Sequence, residues 1–167
     1  MKTLYLLRHA HTLTAAPPQM GDHERILSPQ GAEEARAVGR FMKKNELYPD
    51  FVLSSSATRT IQTTMLVTGM LFGQEGGRIP SRFDRGLYHA SADKIISEIR
   101  QQDSSIRNLL LVAHNPGAAE LALRLGQIEN YAPATLAVFK ADCRDWAAFS
   151  PDAVTLEMIF APESAGH

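Results

Sequence analysis

Apolar residues occur along the chain in short unbroken runs and in longer stretches with helical spacing, and several of the runs end abruptly in polar or charged side chains. Lys2 to Leu7 is almost continuously apolar and passes straight into Arg8 and His9. Such a run predicts a strand covered on both faces, central in a parallel sheet. Phe51-Val52-Leu53 is a second short strand, leading into Ser54-Ser55-Ser56-Ala57-Thr58-Arg59-Thr60. The clearest strand is Asn108 to Ala113, which ends in His114-Asn115-Pro116-Gly117. Ile79 to Phe83 reads as an edge-like strand, and Thr135 to Phe139 and Val154 to Phe160 as late strands, antiparallel or at an edge.

Helical spacing fills the intervals. Ser28 as N-cap, Pro29 at the first position, and Ala35, Val38, Gly39 and Met42 on one face predict a helix from Pro29 to about Asn45. Ile61, Met65, Thr68 and Phe72 give a second helix its apolar face and put Arg59 in its first turn, where the helix dipole disfavours a cation unless an anion is near. Gly73 to Gly77 form a turn; Ser91 opens a third helix with Ile95, Ile96 and Ile99 buried, and Ala118, Leu121, Ala122 and Leu125 mark a fourth. Arg8 to Leu27, with Pro17, Pro18 and Gly21, has no period and reads as a long loop of the functional kind. Strands alternating with helices predict an α/β fold, three-layer α/β/α with a mostly parallel central sheet, in which ligands gather at the carboxyl ends of the strands. One domain is expected over 1–161, with a loose tail over 162–167.

Composition narrows the chemistry. The 167 residues, 44% hydrophobic and 21% charged, suit one globular domain. A net charge of -1 provides no general field for nucleic acid or an anionic membrane, so the 17 Lys and Arg residues must act locally. The lone Cys143 excludes an internal disulfide and a cysteine-based zinc site, and suits a reducing compartment. The N-terminal apolar run reaches Arg8 within a few residues, too short for a signal peptide or membrane span, and a cytoplasmic protein is expected.

If the three polar-ended strands are neighbours, Arg8, His9, Arg59 and His114 converge on one pocket. Two guanidiniums and two imidazoles collected in this way suit a polyanion, and the planar arginine fork suits phosphate oxygens. The sequence has no Gly-rich Walker loop and no clustered carboxylates for magnesium, and the arginine charges would repel a metal ion. No metal or cofactor is expected, and phosphoryl transfer to a histidine is the economical chemistry.

These segments, in this order and strand context, resemble the histidine phosphatase superfamily, which also holds the cofactor-dependent phosphoglycerate mutases; the resemblance runs from Lys2 to Phe160. The short chain, Asp22 to Gly31, and Gly86-Leu87-Tyr88-His89-Ala90 are similar to the SixA-type phosphohistidine phosphatases. The resemblance implies a phosphoglycerate mutase-like fold, with His9 attacking phosphorus to form a covalent phosphohistidine and Arg8, Arg59 and His114 binding the phosphoryl oxygens. Ser54 and Ser55 would add hydrogen bonds to substrate, and Asn115 would contact it or hold the His114 turn. Mutase-like members carry a glutamate after the third strand, where this chain has Leu87-Tyr88-His89-Ala90. That departure argues against a mutase and moves the general-acid role to Asp22, with Arg25 as a further phosphate contact; the competing reading is a solvated Asp22 paired with Arg25. His11, His23 and His89 read as surface histidines. The implied substrate is phosphohistidine on a carrier protein, with no nucleic acid or membrane partner. A general phosphomonoesterase acting on small phosphate esters and a non-catalytic phosphate-recognition module stand as alternatives.

Overall fold

A computed structural model describes residues 1–16, 18–76 and 79–162 of the chain. Six strands form one sheet: β1 (Lys2–Arg8), β2 (Phe51–Ser55), β3 (Ser81–Asp84), β4 (Asn108–Ala113), β5 (Leu136–Ala141) and β6 (Val154–Phe160). Among the described residues, four α-helices lie between them: α1 (Pro29–Lys44), α2 (Thr58–Gly76), α3 (Ala92–Arg100) and α4 (Gly117–Gly126). The strand order is β3-β2-β4-β1-β5-β6. β3, β2, β4 and β1 are mutually parallel, while β5 and β6 add antiparallel to one side.

The continuous apolar runs are central strands because both of their faces are covered. Along β1, Leu4 and Leu6 face a core shared with Ile95, Ile99, Leu121 and Trp146, while Tyr5 and Leu7 face another built with Ala35, Val38, Met42 and Val67. One core therefore holds α3 and α4 against the sheet and the other holds α1 and α2, giving the three layers. Truncating a fully buried leucine such as Leu6 to alanine in such a core costs about 2–5 kcal/mol. Only β6 alternates strictly, with Thr155, Glu157 and Ile159 exposed, as an edge strand covered on one face should.

α1 starts as its sequence reads, with the Ser28 hydroxyl accepting from Gly31 N–H at 3.0 Å and Pro29 in the first turn. α2 departs from its expected face. Met65 is exposed, and the buried side consists of Thr60, Thr63, Thr64, Val67, Thr68 and Leu71. Threonine hydroxyls make this tolerable by donating to carbonyls of the preceding turn: Thr63 to Arg59, Thr64 to Thr60 and Thr68 to Thr64, at 2.7–2.9 Å. α2 leaves helical geometry at Gly73 (φ +73°), where the turn was expected, and Gly77 lies outside the described residues. β2 extends to Ser55, so Ser54 and Ser55 belong to the strand. Of the expected tail over 162–167, residues 163–167 lie outside the described residues.

The strand order meets the condition that the sequence left open. β1 lies beside β4 with Arg8 opposite Ala113, and β2 lies on the other side of β4 with Ser54 opposite Val112. The carboxyl ends of β1, β4 and β2 therefore form one contiguous rim. The long loop after β1 folds back over that rim, closed by a bridge between Thr12 and Leu27 and by Leu13 N–H donating to Ile26 O at 3.1 Å.

Candidate active site

At this rim is a cavity of about 430 Å³ whose lining includes Arg8, His9, Arg25, Arg59, His114 and Asn115. His9 is the first residue past β1, its N–H donating to Ala113 O at 3.1 Å. Its ring is 6% exposed, and Nδ1–H donates to the Ala10 carbonyl at 2.7 Å. A carbonyl can only accept, so Nδ1 carries the proton and Nε2 keeps its lone pair. Burial pulls the His9 pKa down to about 4; the Ala10 carbonyl opposes this, and the charges of Arg59, Arg8 and Arg25 add to it. The imidazole is therefore neutral at physiological pH. Thr63 ties the turn to α2, accepting from Ala10 N–H at 3.1 Å while donating to Arg59 O.

His114 follows β4, its ring centroid 5.3 Å from that of His9. Ser55 Oγ, which accepts from Ala57 N–H at 3.3 Å, lies 2.8 Å from His114 Nε2. With the Ser55 hydroxyl donating there, the ring proton sits on Nδ1, a buried nitrogen without a protein partner. Burial, followed by the charges of Arg59, His9 and His89, pulls the His114 pKa down to about 2. Arg8 donates to Tyr131 O at 3.1 Å through Nη1. The Nε groups of Arg8, Arg25 and Arg59 are also buried without a protein partner. Four orphaned donors on residues lining one cavity are costly unless an acceptor enters, and a tetrahedral oxyanion supplies several acceptors at once. Among the described residues, no group of three or more His, Cys, Asp or Glu side chains is arranged to hold a metal ion.

Other sequence-stated candidates are placed differently from expectation. Ser54 and Ser55 are fully buried and do not line the cavity; Ser54 donates to Ser55 O at 2.9 Å, and Ser55 orients His114. Both therefore sit in the framework behind the cavity. Asn115 does line the cavity, but its amide is engaged, donating to Tyr131 O at 3.0 Å and accepting from Ala119 N–H at 3.2 Å.

Asp22, expected as the acid, lies among three donors. Its carboxylate accepts from Tyr88 O–H at 2.5 Å and from Arg59 Nη2 at 3.1 Å, with Arg25 Nη2 at 3.5 Å. The Tyr88 hydrogen bond, with the nearby Arg59 and Arg25 charges, holds its pKa far below the usual carboxylate range. In this arrangement the carboxylate is ionised and partners the buried Arg59, whose Nη1 also donates to Asp22 O at 2.8 Å. This pairing joins Asp22 to Arg25, as the competing reading held, and to Arg59 as well.

Three histidines read as surface residues are also more involved than that. His23 Nε2 lies 2.9 Å from Ser56 Oγ. His89 is exposed but lines the cavity, in left-handed backbone (φ +55°), with Nε2–H donating to Asp22 Oδ2 at 3.3 Å. His11 lines the cavity, and its Nδ1–H donates to the buried Glu34 carboxylate at 2.7 Å. Tyr88, to which no role was given, stacks edge-on against His114 and holds Asp22. A signal for the His11 pair was available: Glu34 sits on the same helical face as Gly31, Ala35 and Val38, and a carboxylate on a core face demands a partner.

Comparison with known proteins places this geometry in context. Residues 4–75 match the model of the histidine phosphatase superfamily (branch 1). An uncharacterised protein of Mycobacterium tuberculosis is 34% identical over 118 residues, which span 71% of this chain and 70% of that protein. Among solved structures, a protein from Nakamurella multipartitia described as a candidate phosphohistidine phosphatase SixA superposes with a TM-score of 0.84 at 24% identity, covering 98% of this chain and 97% of that one. A candidate phosphohistidine phosphatase SixA from Agrobacterium tumefaciens gives a TM-score of 0.79 at 27% identity, covering 96% and 98%.

Proposed function

The chain belongs to the histidine phosphatase superfamily and has its phosphoglycerate mutase-like fold, and from that premise we propose that it is a metal-independent phosphatase that removes phosphate from phosphohistidine on a protein. The observation that carries the reading is His9: a buried, neutral imidazole with its Nε2 lone pair free, in a cavity lined by Arg8, Arg59 and His114. Nε2 attacks phosphorus in line, the bond to the leaving group breaks, and the phosphoryl group rests on His9 until water hydrolyses it. Arg8, Arg25, Arg59 and the His114 Nδ1–H donate to the phosphoryl oxygens as charge spreads over them. Arg59 holds Asp22 through Nη1 and Nη2 and keeps Nε for the substrate oxygens, so the entering phosphate and the Asp22 carboxylate share one guanidinium.

The phosphohistidine substrate is supported by likeness to the two candidate SixA proteins. The test compares kcat/KM for a histidine-phosphorylated carrier protein with that for 4-nitrophenyl phosphate. A carrier preferred by at least ten-fold supports the reading, and equal or lower values favour a general phosphomonoesterase. Binding of either substrate without release of phosphate would leave only a recognition module.

A further inference from the structure

We propose that His11 is the proton donor to the departing group, oriented by Glu34, and that the same ring nitrogen then serves as base toward the attacking water. This rests on the phosphatase reading and deepens it by naming His11, rather than the paired Asp22, as the acid.

The structure commits several groups to holding this one residue. Glu34 is 4% exposed, and its Oε1 accepts from both the His11 backbone N–H at 3.1 Å and Nδ1–H at 2.8 Å, with Oε2 also 2.7 Å from Nδ1. The His11 carbonyl accepts from Ser28 N–H at 3.0 Å and from the Ser28 hydroxyl at 3.3 Å. Gly31 completes the seat, because a Cβ there would lie 1.9 Å from His11 O. The N-terminus of α1 therefore clamps the residue two positions after the nucleophile, and the carboxylate fixes which ring nitrogen is protonated. With Nδ1–H on Glu34, Nε2 is the nitrogen left for the cavity that His11 lines. A carboxylate behind an imidazole whose other nitrogen faces the reacting group is the arrangement that makes histidine an effective acid and base. Glu34 balances the positive charge when Nε2 also carries a proton.

The other proton carriers in or beside the cavity are less suited. His9 Nδ1–H is bound to Ala10, His114 Nδ1–H is committed to the phosphoryl oxygens while its Nε2 faces Ser55, and the Asp22 carboxylate accepts from Tyr88. His89 aims its Nε2–H at an oxygen already shared by Tyr88 and Arg59.

His9 Nε2 contributes its lone pair to a new N–P bond; the P–X bond breaks with its electron pair going to X, and X takes the proton from His11 Nε2. Water then forms a P–O bond, the P–N pair returns to His9, and the proton lost by water goes to His11 Nε2, restoring the starting state. The net reaction is hydrolysis of one phosphate bond. An imidazole ring nitrogen as X needs this proton, as does an alkoxide, whereas 4-nitrophenolate does not.

The test is the dependence of kcat/KM on leaving group across a series running from 4-nitrophenyl phosphate through phenyl phosphate to an alkyl phosphate, for wild type, His11→Asn and Glu34→Gln. Asparagine keeps an N–H donor for Glu34 but has no acid for the cavity. The expected result is that His11→Asn loses about 10²–10⁴-fold on the alkyl phosphate and far less on 4-nitrophenyl phosphate. Glu34→Gln should shift in the same direction by a smaller factor. Because each variant is compared with itself on two substrates, a partly folded preparation leaves the ratio intact; His11→Gln is the second variant should asparagine prevent folding. Equal loss on every substrate, or no loss on any, would overturn the role of His11. A wild type that turns over neither this series nor the histidine-phosphorylated carrier protein overturns the phosphatase reading on which it rests.

Discussion

His9 and His114 are kept neutral by burial, and this carries a cost that acid exposes. The His9 pKa falls from 6.5 to about 4 and that of His114 from 6.5 to about 2 on folding. Below pH 6.5 the unfolded chain therefore takes up protons that the folded chain refuses, and stability declines as pH falls through that window. At pH 5 the loss is on the order of 2 kcal/mol per buried imidazole, from about 1.4 kcal/mol per pKa unit. The melting temperature should drop between pH 7 and pH 5, and His114→Asn should flatten that drop; a wild-type melting temperature unchanged over this range would contradict it. Arg59 is a second single-residue test. Lysine keeps the charge but loses the fork, so Arg59→Lys should lower kcat/KM by about 10²–10³-fold without abolishing phosphate binding. Activity within three-fold of wild type would remove Arg59 from the proposed transition-state clamp. Arg8, His9, Arg59 and His114 were legible in sequence because each follows or lies near the end of an apolar run, where the switch from apolar to cationic is itself the signal. The Glu34 position showed that a partner was needed but not that His11 is that partner, and the pairing of Asp22 with Tyr88 and Arg59 was not legible, because these partners are brought close only by folding over separations of 23, 66 and 37 residues.

The connection from β4 to α4 shows how whole elements bring these side chains together. α4 begins at Gly117, immediately after the His114-Asn115-Pro116 turn, and a Cβ at Gly117 would lie 1.9 Å from Ala90 O. Ala90 is the residue after His89, so this close approach locks the His89 loop against the His114 turn. Gly117→Ala should cost about 1–3 kcal/mol through backbone displacement and reduce activity with it; urea denaturation together with a steady-state assay would show both effects, and full stability would contradict the close contact. α1 was legible from its N-cap, its proline and its apolar face because all three signals agree. α2 was legible as a helix, but its buried face was not, since its threonines satisfy their hydroxyls on their own backbone and then pack inward while Met65 faces solvent. Polarity at those positions reports chemistry that the helix resolves internally, so a hydrophobic stripe alone misplaces the interface.

Over the whole molecule, function depends on strand order. Strands read one by one state what each end carries, but they do not state which ends are neighbours. The order β2-β4-β1 converts three separate polar ends into one cavity, and the antiparallel addition of β5 and β6 leaves that rim intact. The α/β class and the mostly parallel sheet follow from the alternation of elements, whereas the adjacency follows from packing both sheet faces. From the assembled rim comes the central claim, that phosphate passes through a covalent bond to His9. The most direct measurement is to trap the protein during turnover of a labelled phosphate substrate and to determine the stability and location of the label. The expected result is phosphate on wild type that survives alkali, is lost in acid and maps to His9, with neither label nor turnover in His9→Ala. Label on a different residue, or wild-type turnover by His9→Ala, would contradict the mechanism.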